Sequence, residues 1–367
     1  MRAAILCTQY ADPGHRGKLR ALTGLGVHVA ALVPERWTPP FAARPIATSH
    51  GTDGGVEVMP VPTRSTGLET RWDLRKVRRV LTEQRPDVLQ LEAEPWTEAA
   101  ADIVALARRL SIPVVLVTLD ALPRRLGWRA ARRRRRVLRA VQGVIAGTAL
   151  AAELVTELRP EVPLTILPQL GVQPAAEPQP LLRGDDFVIG FIGRLVPERG
   201  LDLLLRAAAR LPGPWSIVVA GSGPAQEPLE ELAERLGIAG RVTWRGALRR
   251  AELAEVWPEL DCLVLPARTT PDWVETSPQA VVEALGRGVP VVVSASGALP
   301  ETVGPGGFVV PEENATALTD TLLLLRDSPD EAGRRAAIGR QRVLAHFAHD
   351  AVARQTLEFW GRIRATP

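Results

Sequence analysis

Short runs of apolar, mostly β-branched residues alternate with segments of helical periodicity along nearly the whole chain. The runs are continuously apolar, which is typical of strands buried on both faces of a parallel sheet. Helices between parallel strands form right-handed crossovers, so the sequence predicts a doubly wound, Rossmann-like α/β architecture. The predicted helices include Glu69–Gln84 and Trp96–Leu110. The predicted strands are Ala3–Thr8, Val27–Val33, Val56–Pro60, Asp87–Leu91, Pro113–Thr118, Gly143–Ala146, Leu164–Leu167, Phe187–Ile192, Trp215–Ala220, Arg241–Trp244, Asp261–Leu265, Pro290–Val293 and Gly307–Val309.

The alternation breaks once, near the middle of the chain. Residues 173–185 contain several prolines and show no periodicity, which predicts a linker. A chain of 367 residues has room for two domains of roughly 100–200 residues each. We therefore expect an N-terminal Rossmann-like domain over residues 1–172 and a C-terminal one over residues 186–345. A C-terminal helix over residues 346–367 is expected to cross back to the N-terminal domain.

Composition excludes several classes of protein. A hydrophobic content of 46% excludes a disordered chain, and no apolar stretch approaches the ~18 residues of a membrane span. Cys7 and Cys262 lie far apart in apolar runs, so we expect buried thiols and a cytoplasmic location. Residues 1–170 carry nine more basic than acidic residues, so this half is expected to favour anionic surfaces.

The most basic segment is Arg129–Arg139, which includes five consecutive arginines from Arg132 to Arg136. At helical spacing these residues form a mostly charged helix. One interpretation is a patch that contacts an anionic membrane, peripherally, or a phosphorylated acceptor; the other is a solvated helix face. Nucleic acid is not an expected partner, because the segment lacks interleaved aromatic residues.

A loop rich in glycine and arginine follows the buried strand that ends at Ile192. Gly193 and Arg194 begin this loop, Arg199 and Gly200 end it, and a helix follows. Guanidinium groups pair with phosphate oxygens, and a helix N-terminus favours negative charge. The loop therefore predicts a diphosphate site, with two solvated surface arginines as the alternative.

Two glutamates flank the start of a later helix. Ser277 suits an N-cap and Pro278 a first helical residue, so the helix is predicted to begin there. Glu275 then precedes the helix, and Glu283 lies about a turn and a half inside it. The two carboxylates do not share a face, so we expect them to contact different parts of one ligand rather than to act as an acid/base pair. The alternative is a capping charge and an exposed helical acid.

A third loop, between the first strand and its helix, holds two glycines and two cations. Gly14 allows close backbone approach to a ligand. We expect Arg16 or Lys18 to reach a phosphate in a cleft between the two domains.

Four motifs of the second half occur in an order and spacing that resemble a known family. The family is the retaining GT-B glycosyltransferases of family four, the group 1 glycosyl transferases, which include sucrose-phosphate synthases and bacterial mannosyltransferases. The resemblance covers residues 187–325 well and residues 1–170 more loosely. The motifs are Gly193-Arg194-Leu195-x-Pro197-Glu198-Arg199-Gly200, Gly221-Ser222-Gly223-Pro224, Glu275-x7-Glu283 and Ser296-Gly297-x-x-Pro300-Glu301.

The resemblance implies a role for each matching residue. Arg194 and Arg199 would hold the diphosphate of a UDP- or GDP-sugar, although the family usually has lysine where this chain has Arg199. Glu275 would face the donor sugar, and Glu283 would bind the ribose hydroxyls.

Backbone amides around Ser277–Gln279 would meet sugar hydroxyls or phosphate. Gly221 and Gly223 would let the nucleotide approach the backbone, and Arg245 would lie near the base.

The resemblance also identifies a departure from the family pattern. Members often carry a Thr-x-His-Asp run near the reacting carbon, and here the run reads Thr118-Leu119-Asp120-Ala121. Asp120 therefore takes the place of the histidine, where a carboxylate can accept a hydrogen bond from a sugar hydroxyl or stabilise positive charge at the anomeric carbon. Glu92 and Glu94 are expected to point into the same region.

The expected activity is metal-independent, retaining transfer of a hexose from a nucleotide sugar to an acceptor hydroxyl. The donor is expected on the C-terminal domain and the acceptor (a glycan, a lipid or a small molecule) on the N-terminal one. No Asp-x-Asp motif and no His/Asp cluster for Mg²⁺ or Mn²⁺ is present in the sequence, and no cofactor besides the donor is expected. A nucleotide-sugar epimerase and a non-catalytic nucleotide-sugar-binding protein remain alternatives. A dehydrogenase is not expected, because the one Gly-x-Gly, at Gly221 and Gly223, lacks the third glycine.

Overall fold

All thirteen predicted strands are confirmed to within two residues at each end in a computed structural model of the chain. Helix Trp96–Leu110 is also confirmed, with bounds Glu98–Arg109. The structure describes residues 1–38, 45–66, 69–179, 184 and 186–365. It divides into two compact units, Met1–Gly171 with His349–Pro367, and Val172–Ala348.

The first unit contains one large parallel sheet and two short hairpins. Its strands are β1 (Arg2–Leu6), β2 (His28–Pro34), β3 (Arg36–Trp37), β4 (Ile46–Ala47), β5 (Gly51–Asp53), β6 (Val56–Val61), β7 (Thr63–Thr66), β8 (Glu69–Trp72), β9 (Val88–Glu92), β10 (Val114–Thr118), β11 (Gly143–Ala146) and β12 (Leu164–Ile166). Its first five helices are α1 (Gly17–Gly24), α2 (Leu74–Gln84), α3 (Glu98–Arg109), α4 (Trp128–Ala140) and α5 (Ala149–Leu158).

The large sheet has the strand order β12-β11-β10-β9-β1-β2-β6-β5, with β5 antiparallel to β6 and the other neighbours parallel. Its buried residues form two large apolar clusters and one small one around Ala146, and the two large ones are expected for a sheet covered on both faces. The order reverses between β1 and β9. In open α/β sheets, ligands bind beyond the carboxyl ends of the strands at such a reversal.

The predicted helix Glu69–Gln84 is wrong in its first turn. Glu69–Trp72 is strand β8, paired with β7, and the helix begins only at Leu74. Asp73 explains the boundary, because its carboxylate accepts hydrogen bonds from the amides of Arg75 and Lys76 at 2.8 and 3.2 Å. This N-cap satisfies two of the amides at the helix start that lack an intrahelical partner.

The second unit is a six-stranded, fully parallel sheet in the order β15-β14-β13-β16-β17-β18. Its strands are β13 (Phe187–Ile192), β14 (Trp215–Ala220), β15 (Val242–Gly246), β16 (Cys262–Leu265), β17 (Val291–Ser294) and β18 (Phe308–Val310). Its helices are α6 (Leu201–Ala208), α7 (Gln226–Arg235), α8 (Arg250–Val256), α9 (Gln279–Arg287), α10 (Leu299–Val303), α11 (Ala315–Asp327) and α12 (Pro329–His346). The order reverses between β13 and β16, and the loops after these two strands carry the residues described below.

The last helix, α13 (His349–Ala365), belongs to the first unit. It buries Phe359, Trp360 and Ile363 in one of the two apolar clusters of that unit. The indole of Trp360 donates a hydrogen bond to Gln90 of β9 at 3.2 Å.

Part of the predicted linker packs on the second unit. Gln179 donates from its backbone to Arg287 at 2.7 Å and from its side chain to Leu260 at 2.8 Å, while Arg340 donates to the carbonyl of Ala175 at 2.7 Å. Residues 180–183 and 185 of the predicted linker lie outside the described residues.

Candidate functional site

The loop between β13 and α6 positions the two predicted phosphate-binding arginines. Residues Pro197–Arg199 form a short 3-10 turn that ends at Gly200. Gly200 has φ +72°, and a Cβ there would lie 1.9 Å from the carbonyl oxygen of Pro266. Only glycine tolerates both conditions. Gly200 therefore fixes the backbone position of the neighbouring Arg199.

Arg199 and Glu275 form a buried ion pair at the reversal of the sheet order. Arg199 Nη1 lies 2.6 Å from Glu275 Oε2, and the two side chains are 14% and 3% exposed. The guanidinium also lies over the ring of Trp273, 5.7 Å from its centre. The structure thus brings together a cation from the loop after β13 and an acid from the loop after β16.

The carboxylate of Glu275 accepts one hydrogen bond and forms one ion pair, while its Oε2 has no hydrogen-bond partner within the described residues. Its Oε1 accepts a hydrogen bond from the amide of Ser277 at 3.0 Å, while Oε2 faces Arg199. Nε of Arg199 is buried and has no hydrogen-bond partner in the part of the chain that the structure describes. A buried donor of this kind is costly unless a ligand completes its hydrogen bonding.

Arg194 contributes a second positive charge to the same cluster. Burial lowers the pKa of Arg194 from its usual value, and the neighbouring Arg199 lowers it further, whereas Glu275 and Glu198 raise it. Two guanidinium groups that repel each other, with one buried carboxylate near both, form a site whose charge favours an anionic ligand.

Helix α9 begins at Gln279, so the prediction that Ser277 caps a helix beginning at Pro278 is wrong. Pro278 has ψ 66°, outside the helical range, and no side chain caps this helix. The amide of Ser277 instead donates to Glu275, as described above. Glu275 therefore lies just before a helix N-terminus, where the helix dipole favours negative charge.

Gly221 and Gly223 are explained by packing between two loops. A Cβ on Gly221 would lie 1.8 Å from the carbonyl oxygen of Gly193, and one on Gly223 would lie 2.2 Å from that of Leu195. These glycines let the loop after β14 lie directly on the loop that carries Arg194. Close approach of a nucleotide to this backbone stays a prediction.

Glu283 and Arg245, the residues predicted to contact the ribose and the base, have different neighbours in the second unit. Glu283 is half-buried on α9 and lines a depression of about 510 Å³ together with Trp257 and Arg287. Arg245, at the end of β15, pairs with Glu259 at 2.9 Å, and both side chains are exposed. Their predicted contacts with ribose and base stay predictions.

In the first unit, Asp120 is a tightly held carboxylate just after β10. Its Oδ2 accepts from the indole of Trp96 at 3.1 Å and its Oδ1 from Nε of Arg124 at 2.7 Å, which leaves the side chain 8% exposed. The indole and the guanidinium fix the orientation of both oxygens. The sequence analysis did not identify Arg124, because the segment from Asp120 to Arg124 is not helical and no local pattern marks the pair.

Glu94 braces the loop that contains Asp120. Its carboxylate accepts hydrogen bonds from the hydroxyl of Thr118 and from the amides of Leu119 and Asp120. Burial raises the pKa of Glu94 above its usual value, although the hydrogen bonds from Thr118 and Leu119 lower it. Glu94 therefore shapes the position of Asp120.

Glu92 belongs to a buried polar network that the sequence did not indicate. It accepts hydrogen bonds from Tyr10 at 3.0 Å, Gln90 at 2.7 Å and Gln169 at 2.9 Å, and its side chain is fully buried. Burial, and next the charge of Glu92, raise the pKa of Tyr10 well above its usual value. The network ties the ends of β1 and β9 to the segment after β12.

The prediction that Arg16 or Lys18 reaches a phosphate is wrong. Lys18 is 2% exposed and donates to the carbonyl of Gln169 at 2.6 Å, and Arg16 is 5% exposed and donates to the carbonyl of Tyr10 at 2.7 Å. Both cations face inward because buried acceptors surround them. The amide of Gly14 donates to the carboxylate of Asp12 at 2.8 Å, so it too has an internal partner.

Replacing Asp53 with asparagine is expected to destabilise the protein in a pH-dependent way. Asp53 contacts Arg16 at 3.0 Å and Arg20 at 2.8 Å. Burial alone would raise the pKa of Asp53, but hydrogen bonds from Arg20 and Arg16 lower it below its ordinary value. The carboxylate therefore stabilises the fold above its unfolded pKa, and this contribution disappears as the pH falls through the lower folded pKa.

Urea unfolding from pH 8 to pH 3 measures this contribution. The Asp53→Asn variant is expected to be less stable by about 1–3 kcal/mol at neutral pH, because Arg16 loses its counter-charge. The difference from the parent should shrink below about pH 4. A difference that stays constant over the whole range would contradict the assignment.

Two family models match the chain. The model described as glycosyl transferases group 1 matches residues 172–342, and that described as glycosyl transferase 4-like domain matches residues 16–169. The D-inositol 3-phosphate glycosyltransferase of Mycobacteroides abscessus is 35% identical over 198 residues, 52% of this chain and 43% of that protein. The GDP-mannose-dependent alpha-(1-6)-phosphatidylinositol monomannoside mannosyltransferase of Mycobacterium tuberculosis is 32% identical over 176 residues, 46% of each chain. The chain thus spans less than half the length of these relatives.

Solved structures confirm the predicted GT-B fold. Sucrose-phosphate synthase from Thermosynechococcus elongatus matches 100% of both chains with a TM-score of 0.75 at 18% identity. Anabaena HepE, in a complex with UDP-glucose, matches 99% of this chain and 100% of its own with a TM-score of 0.72 at 17% identity. At these identities the likeness concerns the fold.

The described residues contain neither a candidate membrane-spanning helix nor a candidate metal site. Among the described helices, none combines the length and the apolar character that a bilayer crossing requires. Among the described side chains, no group of His, Cys, Asp and Glu has the arrangement of a metal site.

Proposed function

We infer that this chain, which belongs to the glycosyl transferase group 1 family, transfers a hexose from a UDP- or GDP-sugar to an acceptor hydroxyl. The observation that carries the proposal is the buried cluster of Arg194, Arg199 and Glu275 at the reversal of the second sheet. Relatives support it, since one is named as GDP-mannose-dependent and one similar fold holds UDP-glucose.

The chemistry of the cluster suits departure of a nucleoside diphosphate. Cleavage of the bond between the anomeric carbon and the phosphate oxygen leaves negative charge on the diphosphate. Arg194 and Arg199 are preorganised donors for that charge, which lowers the energy of the transition state without a metal ion. We propose that configuration is retained, with a leaving phosphate oxygen accepting the proton of the acceptor hydroxyl.

We assign the remaining donor contacts by position. Glu275 faces the donor sugar, with its carboxylate oriented by the amide of Ser277, and the start of α9 at Gln279 favours the phosphate. Glu283 is proposed to bind the ribose and Arg245 to lie near the base.

We propose that the nucleotide lies against the backbone of the loops that include Gly193, Gly221 and Gly223. Their glycines let these two loops pack together beside Arg194.

Acceptor-side chemistry is proposed for the first unit. We propose that Asp120 is the polar group near the reacting carbon, because its carboxylate is held in one orientation by Trp96 and Arg124. A carboxylate fixed in this way can accept a hydrogen bond from a sugar hydroxyl or stabilise positive charge at the anomeric carbon. We propose that Gly14 allows a ligand to approach the backbone of the loop that follows β1.

Two further proposals concern location and surface. We propose a cytoplasmic protein that contacts an anionic membrane peripherally through Arg129–Arg139. Helix α4 supports the contact, since most of the arginines of this segment are exposed.

A thermal-shift titration tests the donor site. UDP, GDP, UDP-glucose and GDP-mannose are each added to the parent, to Arg194→Ala and to Arg235→Ala, a matched exposed arginine on α7. At 100 times its Kd the correct ligand stabilises the parent by about 2.7 kcal/mol. The shift should persist in Arg235→Ala and vanish in Arg194→Ala. Absence of any shift in the parent would overturn the proposal.

A further inference from the structure

A large groove lies between helices α3 and α4 of the first unit. It has a volume of about 1160 Å³, and its lining consists solely of apolar residues and arginines. The apolar lining residues are Ala101, Val104, Ala105, Trp128, Ala131, Val137 and Ala140. The arginines of the lining, called here the groove arginines, are Arg108, Arg109, Arg132, Arg135, Arg136 and Arg139.

Sequence spacing explains how two helices build this lining. On α4, Trp128, Arg132, Arg135 and Arg139 recur at intervals of three or four residues and so lie along one face. On α3 the apolar residues of the groove share a face in the same way. The two faces oppose each other, and Val137 of α4 is buried at the base of the groove.

No acidic side chain among the described residues pairs with the groove arginines. All six are exposed, and none of them forms an ion pair or a side-chain hydrogen bond within the described residues. By contrast Arg133, on another face of α4, is paired with Glu98 at 3.3 Å and donates to the carbonyl of Trp96. Unpaired like charges at helical spacing destabilise a helix, so the folding of α4 does not explain them.

The groove also has a polar end. A second depression of about 500 Å³ shares Val104, Arg108, Arg139 and Ala140 with the groove and adds the polar residues Ser111 and Gln142 beside three apolar ones. Trp128, at the N-terminus of α4, is 71% exposed, which is unusual for a side chain of this size. Exposed tryptophan beside arginine is typical of segments that lie at a membrane interface.

We propose that this groove binds one anionic phospholipid. An acyl chain would lie on the apolar floor, and the headgroup phosphate would contact Arg108 and Arg139 at the polar end. Charge complementarity favours this ligand, because the lining offers cations and apolar surface but no carboxylate or carboxamide in its main part. An acidic peptide or a nucleic acid would leave its own donors and bases without partners there. The inference deepens the proposed membrane contact and is independent of the proposed donor site.

Vesicle sedimentation tests the contact itself. The full chain is mixed with phosphatidylcholine vesicles that contain either no phosphatidylglycerol or about 30 mol % of it. Arg132→Gln/Arg135→Gln/Arg136→Gln is compared with Arg75→Gln/Lys76→Gln/Arg78→Gln, which removes the same charge from α2. At about a fivefold affinity loss per arginine, the α4 variant should bind the anionic vesicles roughly 100-fold more weakly. An equal loss in the α2 variant would overturn the proposal.

A second variant separates a lipid site from a merely charged surface. Ala105→Trp fills the groove without changing any charge. Arg133→Gln is the control, because it removes one charge of α4 outside the groove. The titrants are a short-chain phosphatidylglycerol below its micellar concentration, and inorganic phosphate. The parent should bind the lipid at least tenfold more tightly than phosphate, and Ala105→Trp should remove that preference. Equal affinity for phosphate, or unchanged lipid binding by Ala105→Trp, would overturn the lipid site.

The two proposals fail separately. Urea unfolding shows whether each variant is folded, and the loss of repulsion on α4 should leave the triple glutamine variant at least as stable as the parent. Nucleotide thermal shifts on the same variants report the donor site. Lost lipid binding with an intact nucleotide shift therefore concerns the groove alone.

Discussion

Glu275→Ala is expected to destabilise the ligand-free protein by about 3–5 kcal/mol, the usual cost of removing one partner of a buried ion pair. The carboxylate is 3% exposed and faces Arg199 at 2.6 Å, with Arg194 also close enough to interact with it. Without it, two half-buried guanidinium groups repel each other. Urea unfolding of the parent and the variant measures the loss.

The same variant should respond more strongly to a nucleoside diphosphate. A diphosphate restores the missing negative charge, so its thermal shift in Glu275→Ala should exceed that in the parent. Sugar transfer should nevertheless fall by about 10²–10³, because the proposed contact of Glu275 with the donor sugar would be lost. A variant as stable as the parent, with an unchanged shift, would contradict the role of Glu275 as the counter-charge.

Arg199→Ala is expected to lower kcat/KM for transfer by about 10²–10³, the usual effect of removing one preorganised donor to a developing charge. The variant should be less destabilised than Glu275→Ala, because the carboxylate keeps its hydrogen bond from Ser277 and its interaction with Arg194. Steady-state kinetics and urea unfolding, measured side by side, test both expectations.

Arg199→Lys is the informative companion variant. Lysine retains the charge but loses the planar, bidentate fork, so we expect partial recovery of kcat/KM. Arg235→Ala, an exposed arginine of the same unit that pairs with Glu231, should retain full activity. If Arg199→Ala were as active as Arg235→Ala, the assignment of the leaving-group charge to this cluster would be wrong.

Patterns within one segment predicted much of the fold. Continuous apolar runs identified every parallel strand of the two large sheets. Burial on both faces of a sheet selects β-branched residues at consecutive positions. The hairpin β7–β8 was missed, since its strands have four residues each and the second was absorbed into a predicted helix. The start of α9 was misplaced because Ser277 donates to Glu275 instead of capping the helix.

Candidate residues of the site could be named from motifs, but their partners could not. Neither the ion pair between Arg199 and Glu275 nor the inward position of Lys18 is visible in a local pattern. In each case the partner lies 74 or more residues away along the chain, since Lys18 pairs with Glu92 and donates to Gln169. The carboxylate of Asp53 that faces Arg16 is likewise 37 residues distant.

The amino-acid sequence by itself determined the α/β class, the two repeats of strand and helix, and the loops in which cations and acids occur, because periodicity and turn chemistry act over a few neighbouring residues. Only the tertiary structure decided which cations pair with Glu275 and which are buried against backbone carbonyls. It also decided that the arginines of α4 line an apolar groove with α3. The reason is that charge, burial and hydrogen bonding depend on every group within a few ångströms, and parallel strands join groups that are remote in sequence.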